Sequence, residues 1–196
     1  MGTQPSGVRE RILGSASSLF YTEGVRAVSA DKIIAAAGTT KVTFYRYFRS
    51  KDDLVVAYLQ EQSAGMQERA AALDPDPCTG LRQLAEVMGT EACSPGFRGC
   101  PFINAAAEYP DPEHPVRMVI TGHRAWLHSL VAGRLRLLGV QEADSLADQL
   151  LMLRDGAMVH GYVEDGTAVG PALAAAGEAL VLPRITAGKP KPEAQV

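Results

Sequence analysis

The sequence has little of what marks a catalyst, a secreted scaffold or a membrane protein. Its three cysteines, Cys78, Cys93 and Cys100, are an odd number at spacings of 15 and 7. That fits neither a disulfide framework nor a C-x-x-C metal site. There is no G-x-S-x-G elbow, phosphate loop or dinucleotide glycine pattern, so a nucleophile or cofactor cradle of those kinds is excluded and no cofactor is expected. The first residues, MGTQPSGVRERILG, hold no hydrophobic signal core, and no apolar run approaches the ~20 residues of a membrane span. The expectation is a cytoplasmic protein with no membrane contact. Strand-like alternation competes nowhere, and repeats are missing. At 46% hydrophobic and 21% charged residues the chain is not largely disordered. Its 196 residues suffice for one compact body or two small domains.

Positive charge is also scarce overall, with a formal net charge of −3. It is unevenly placed. Residues 1–51 hold eight Lys/Arg against three acids, a net +5, while the remainder holds 11 against 19, a net −8. Phosphate neutralisation is local, so a basic end on an acidic chain points to nucleic acid.

The basic end contains Ser29–Phe48, SADKIIAAAGTTKVTFYRYF, which reads as two short helices around a tight turn. Ser29 can cap the first, with Asp31 in its first turn. Gly38 supplies the left-handed backbone of a helix end, and Thr39 or Thr40 can cap the second helix. That second helix carries Lys41, Thr43, Tyr45, Arg46 and Tyr47, with Val42, Phe44 and Phe48 as its apolar positions. Cations, hydroxyls and aromatics on so short a helix suit contact rather than burial, and the arrangement is that of a helix-turn-helix. Phe44 and Phe48 are expected to pack the small domain instead.

The run Phe20, Gly24, Ser29, Ile33, Ala37-Gly38, Thr43, Tyr45, Phe48, Lys51 and Leu54 resembles the N-terminal domain of the TetR family of transcriptional regulators. The likeness covers about the first quarter of the chain. It departs at Ile34, where a small Ala is common, and at Val42, where Gly is frequent. The resemblance implies that Ser29, Thr40, Lys41, Thr43, Tyr45, Arg46, Tyr47 and Lys51 meet double-stranded operator DNA. Hydroxyls and Lys41 suit phosphates; Arg46 and Lys41 can reach guanine O6/N7, and Thr43 a thymine methyl. It further implies a homodimer on a pseudo-palindromic operator, a small-molecule effector, and repression more often than activation. The departure at Val42 bears on which operator is read.

The rest of the chain reads as helices. Val8, Ile12, Ala16, Leu19 and Phe20 predict a first helix to about Thr22, ended by Gly24. Ser50-Lys51-Asp52-Asp53 is a capping box in Asp form, opening a helix to about Leu73. At ~1.5 Å per residue such a helix spans roughly 30 Å, long enough to act as a lever. Asp74-Pro75-Asp76-Pro77 and Pro110-Asp111-Pro112 break the chain. Further helices are predicted around Leu81–Met88, over Cys100–Glu108, from Val116 to Leu138, around Leu146–Tyr162, and over Val169–Leu182. The Leu146–Tyr162 helix is apolar on more than one side, so it needs a second cover, such as a second subunit. Gly156 and Gly161 would let a neighbour approach closely.

The fold expected is therefore all-α. An N-terminal three-helix helix-turn-helix domain over 1–51 precedes a larger helical ligand-binding and dimerisation domain over 52–187, about nine to ten helices in all. Residues 188–196 read as a disordered tail. An effector pocket lined from the later helices would draw on Met66, Met88, Cys100, Phe102, Tyr109, His123, Trp126, Met158 and Tyr162, since flexible Met and flat aromatics suit an apolar or aromatic ligand. His114, His123, His128 and His160 lack metal-ligand spacing. Cys100, near a helix start and two residues from Arg98, supports an alternative as a thiol-based redox or electrophile sensor. A ligand-binding dimer without operator binding, or an enzyme built on Cys100 and a histidine, are the remaining alternatives. No spacing supports the enzyme, and the chain is read as non-catalytic.

Overall fold

A computed structural model describes residues 7–185. The expected tail over 188–196, and all but the last residue of the 1–7 arm, lie outside the described residues. The described chain forms nine α-helices: α1 Val8–Glu23, α2 Ala30–Ala36, α3 Lys41–Tyr47, α4 Lys51–Ala71, α5 Pro77–Ala92, α6 Pro101–Glu108, α7 Pro115–Leu137, α8 Ala143–Val163 and α9 Val169–Val181. Short 3-10 turns, Gly166–Ala168 and Leu182–Arg184, flank α9. No strand occurs among the described residues.

Local chemistry sets most helix ends. Gly24, at φ 90°, stops α1 while its N–H still donates to the Phe20 carbonyl. Ser29 caps α2 by accepting from the Lys32 N–H, and Thr40 caps α3 by accepting from Thr43. Gly38 takes φ 58° between them, a left-handed conformation that costs glycine little. Ser50 accepts from the Asp53 N–H at the start of α4. Asp76 caps α5, with Pro77 in its first turn, where a missing N–H costs nothing.

The chain groups into two compact units. The first comprises residues up to Ala71 together with Arg98–His123; the second comprises Ala72–Phe97 together with residues from Arg124 onward. Compactness thus groups α4, α6 and the first part of α7 with the three N-terminal helices. In the first unit Ile12, Ala16, Phe20, Ile33, Phe44, Leu54, Val55 and Tyr58 are buried. Burial of each large apolar side chain stabilises by about 1.5–3 kcal/mol. Phe102, Val116 and Ile120 extend this interior.

In the second unit Val131, Ala132, Leu135, Val140, Ala143, Leu146, Ala147 and Val181 form one buried cluster. Helices α5 and α9 cross at glycines: a Cβ on Gly89 would stand 2.4 Å from the Gly170 Cα. Gly161 likewise permits close packing, since a Cβ there would lie 2.9 Å from that of Ala92. Gly156 does not behave as its sequence context led us to expect, because a Cβ there meets nothing within 4 Å. Met152, Val159 and Val163 leave an apolar face of α8 exposed. One described stretch, Gly166–Arg184, is by length and composition apolar enough to cross a membrane, contrary to the expectation that no run approaches that length. It comprises α9 and its two flanking turns, and α9 packs on α5 and α8.

Candidate functional site

The site is built on α3. Phe44 is fully buried and Phe48 nearly so, and these two rings pin a seven-residue helix that could not persist in water alone. Much of the remaining surface is left open. Val42, Tyr45 and Tyr47 are exposed at 83%, 42% and 40%, and Lys41 and Arg46 are exposed with them. Thr40 and Thr43 are joined hydroxyl to hydroxyl at 2.9 Å at the helix start. The Arg46 guanidinium lies 5.1 Å from the Tyr47 ring centroid, which orders a long cation at small cost. Lys41 stands 3.6 Å from Asp31, both largely exposed, so water and phosphate can compete for it. This face carries donors, hydroxyls and aromatic rings without a buried partner of its own, as a groove-reading helix requires.

Ser29 and Lys51 play structural parts as well. The Ser29 hydroxyl is engaged as the α2 cap. Lys51 Nζ lies 3.4 Å from the Arg26 carbonyl, and partial burial pulls its ammonium below the ordinary lysine value, Arg26 opposing its charge further. Asp52 and Glu108 pull in the other direction. Arg9 stacks over Phe48, 5.3 Å from its centroid, so α1 braces the base of the recognition helix.

The contacts of two carboxylates in this unit leave no trace in sequence spacing. Glu108, the last residue of α6, accepts the N–H groups of Val25 and Arg26 in the turn after α1. Tyr109 donates to Asp52 at 2.8 Å, and His114 Nε2 lies 3.4 Å from the same carboxylate. Burial, followed by the Asp52 carboxylate, raises the Tyr109 phenol above its ordinary value. These side chains tie the segment around α6 to both ends of the helix-turn-helix.

The nine residues considered for an effector pocket are dispersed. Phe102 and His123 stack at 3.6 Å with rings 2° from parallel, and Ser63 meets His123 Nδ1 at 3.0 Å. Both rings are buried in the first unit, as is Cys100, which caps α6 through its backbone. Met66 and Tyr109 are half-buried there. In the second unit Met158 is buried, Trp126 half-buried and Tyr162 exposed. Met88 is the member of the nine on the wall of a cavity in that unit. This cavity holds about 100 Å³ of open space and is lined from α5, α7, α8 and α9 by mostly leucine and valine side chains, with Arg82, Arg154 and Glu178 among them. Among the described residues no group of three or more His, Cys, Asp or Glu stands close enough to hold a metal ion.

Comparison with known proteins agrees with this geometry. Residues 12–58, from α1 into α4, match the family model of bacterial regulatory proteins of the tetR family. The fold resembles the crystal structure of a TetR-family transcriptional regulator from Streptomyces coelicolor, with TM-score 0.87 and 38% identity over 90% of this chain and 95% of that one. A TetR-type regulator from Streptomyces avermitilis superposes with TM-score 0.79 and 30% identity, over 89% of this chain and 98% of that one. The HTH-type transcriptional regulator YjdC of Escherichia coli is 23% identical over 76% of this chain and 81% of its own length. With α3 exposed above two buried phenylalanines and the two Streptomyces structures matched along nearly their whole length, the chain belongs to the TetR family of transcriptional regulators and is a DNA-binding regulator, not an enzyme.

Proposed function

We propose that this regulator is a cytoplasmic repressor that binds a pseudo-palindromic operator as a homodimer and is released by a small-molecule effector. The observation that carries the proposal is the α3 face, where Lys41, Tyr45, Arg46 and Tyr47 are exposed above two buried phenylalanines. Thr40, Tyr45, Tyr47 and Lys41 are assigned to phosphates, with Lys51 and Ser29 supporting the backbone at the edges. Arg46 and Thr43 are assigned to base edges. The DNA-binding head is taken as roughly residues 1–51, and residues 52–187 as the effector and dimer body.

Dimerisation is supported by the exposed Met152, Val159 and Val163 on α8 and by the apolar α9 beside it. A second copy of this face would remove that area from water. Two heads would then meet major grooves about 34–36 Å apart or a multiple of it. An effector must prefer the wrongly spaced conformer by about 5.5 kcal/mol to carry the population almost fully across. The bonds that Glu108 accepts from Val25 and Arg26 support a route from the segment around α6 to the head.

Fluorescence anisotropy with duplexes from upstream of the gene tests the reading. Binding should be steeply salt-dependent, and Arg46→Ala should weaken it. Val159→Glu should give monomers by light scattering and lose tight operator binding. Salt-independent or absent binding across all upstream fragments would overturn the proposal. The thiol-sensor alternative gains no support from Cys100, which is buried at 4% exposure and cannot meet an oxidant without local opening.

A further inference from the structure

We infer that the cavity of the second unit takes a short aliphatic molecule with an uncharged head, and that the Arg82–Glu178 pair at its rim turns charged heads away. This rests on the effector-responsive reading above and narrows it to a ligand class and two specificity-determining residues. The space has a local cause. Helices α5 and α9 touch at Gly89 and Gly170, where a Cβ on the first would stand 2.4 Å from the Cα of the second. About two turns away along both helices, Arg82 of α5 donates twice to Glu178 of α9, at 2.8 and 3.0 Å. The small residues Ala85, Ala174 and Gly177 line the gap, backed by Leu127, Leu150 and Leu151 from α7 and α8. A Cβ on Gly177 would meet only Leu150, at 4.0 Å. The resulting space is about 100 Å³, smaller than the ~150 Å³ cavity that holds benzene, so a chain of roughly four to six carbons fits. No Phe, Tyr or Trp among the described residues lines it, so a flat ring finds no stacking partner there.

The charged side chains of the wall decide the head group. They are Arg82, Arg154 and Glu178, and each is already engaged within the protein. Arg154 is buried and its Nη1 donates to Asp155 at 2.9 Å. Arg82 and Glu178 are about half exposed and satisfy each other. A ligand carboxylate at the rim is attracted by Arg82 and repelled by Glu178, and an ammonium meets the reverse. Either ion gives up part of its hydration without gaining a counter-charge, which is costly beside an apolar wall. A hydroxyl gives up far less, and it can donate to the carboxylate or accept from the guanidinium. The aliphatic tail then supplies the affinity, and the pair supplies the discrimination.

Hexanol, hexanoate and hexylamine test this near neutral pH with one chain and three head groups. Calorimetric titration and thermal shift on the full protein should show hexanol binding at least about fivefold tighter than either ion. Arg82→Met leaves Glu178 unmatched, so hexylamine should gain about threefold. Glu178→Gln leaves Arg82 unmatched, so hexanoate should gain about threefold. Hexanol should stay within about twofold of wild type in both variants. Along the alcohols from butanol to decanol, affinity should rise about fourfold per methylene and level off near six carbons. Gly177→Leu, which fills the space, should abolish binding of all three probes, and Ala174→Leu serves the same end should that variant fail to fold. Either ion binding as tightly as hexanol, rim variants that move neither ion, affinity that climbs through decanol, or hexanol retained in the filled cavity would overturn the proposal. These readouts do not involve DNA, so an absence of operator binding would sink the repressor reading alone. Hexanol binding that leaves operator affinity unchanged would overturn the cavity as the effector site.

Discussion

Glu108 accepts the backbone N–H of Val25 at 2.9 Å, with its second oxygen turned to the next N–H, that of Arg26. A carboxylate at the end of α6 thereby acts as an external cap on the turn that follows Gly24. The turn needs one, because its N–H groups follow a helix stop and have no ladder partner. Glu108→Ala should therefore cost about 1–3 kcal/mol, the range for losing bonds to a charged acceptor. Thermal denaturation measures the loss, and Glu108→Gln should fall between wild type and Ala. Operator affinity should drop with it, since α2 starts five residues after Val25.

Alkaline pH should find Tyr58. It is buried, and that burial, reinforced by Tyr21 and Cys100, raises its phenol well above the ordinary value of 10.0. Its stabilising contribution is complete below the unfolded value. As pH rises past about 10 the unfolded chain loses the proton first, so the native state is progressively disfavoured. A denaturation series from pH 8 to 11 should show stability falling at the top of the range, and Tyr58→Phe should flatten that fall.

Two glycines of similar sequence context should respond in opposite senses. A Cβ at Gly89 would lie 2.4 Å from Gly170 Cα, so Gly89→Ala must push α5 and α9 apart, at about 1–3 kcal/mol for overpacking. Gly14, in α1, has nothing within 4 Å of its would-be Cβ, and Gly14→Ala should gain roughly 0.5–1 kcal/mol through helix propensity. Chemical denaturation of both variants resolves the sign directly.

Much of this architecture is visible in the chain because helix ends obey local rules. Ser29, Gly38, Thr40, Ser50 and Asp76 each act within three residues of themselves, so a one-dimensional pattern suffices to place them. The α3 surface was legible in part for the same reason: at a period of 3.6, Phe44 and Phe48 share one side and Val42 and Arg46 fall away from it, whereas Lys41 falls in the phenylalanines' sector and is exposed at the helix start. Partners distant in sequence were not. Glu108 and Val25 are 83 positions apart, and Ser63 and His123 are 60 apart; no spacing rule reaches that far. The cavity was obscured differently. Methionines and aromatics drew attention to the later helices, whereas α5 supplies one wall with ordinary leucines, whose pattern cannot distinguish a wall from a core. Gly156 and Gly161 look alike in sequence, and only packing distinguishes them.

Val42 is the large apolar side chain with the greatest exposure in the described chain, at 83%. It stands at the start of the recognition helix, where an isopropyl group has nothing in the protein to touch. In the groove it can meet a thymine methyl. Val42→Thr keeps the shape and adds a hydroxyl. Selection from a randomised duplex pool should show relaxed preference at one base pair, with non-specific affinity unchanged because no phosphate contact is lost.

Operator binding as a function of salt tests the central claim most directly. Anisotropy titrations of upstream duplexes across a salt series should give affinity that falls linearly on logarithmic axes, each phosphate contact adding about −0.9 to the slope. Arg46→Ala should lose about 1–3 kcal/mol and relax specificity at one position, while Lys41→Ala should weaken all sequences alike and shorten the slope by about one unit. Binding without salt dependence, or variants of α3 indistinguishable from wild type, would contradict the assignment of this helix to DNA.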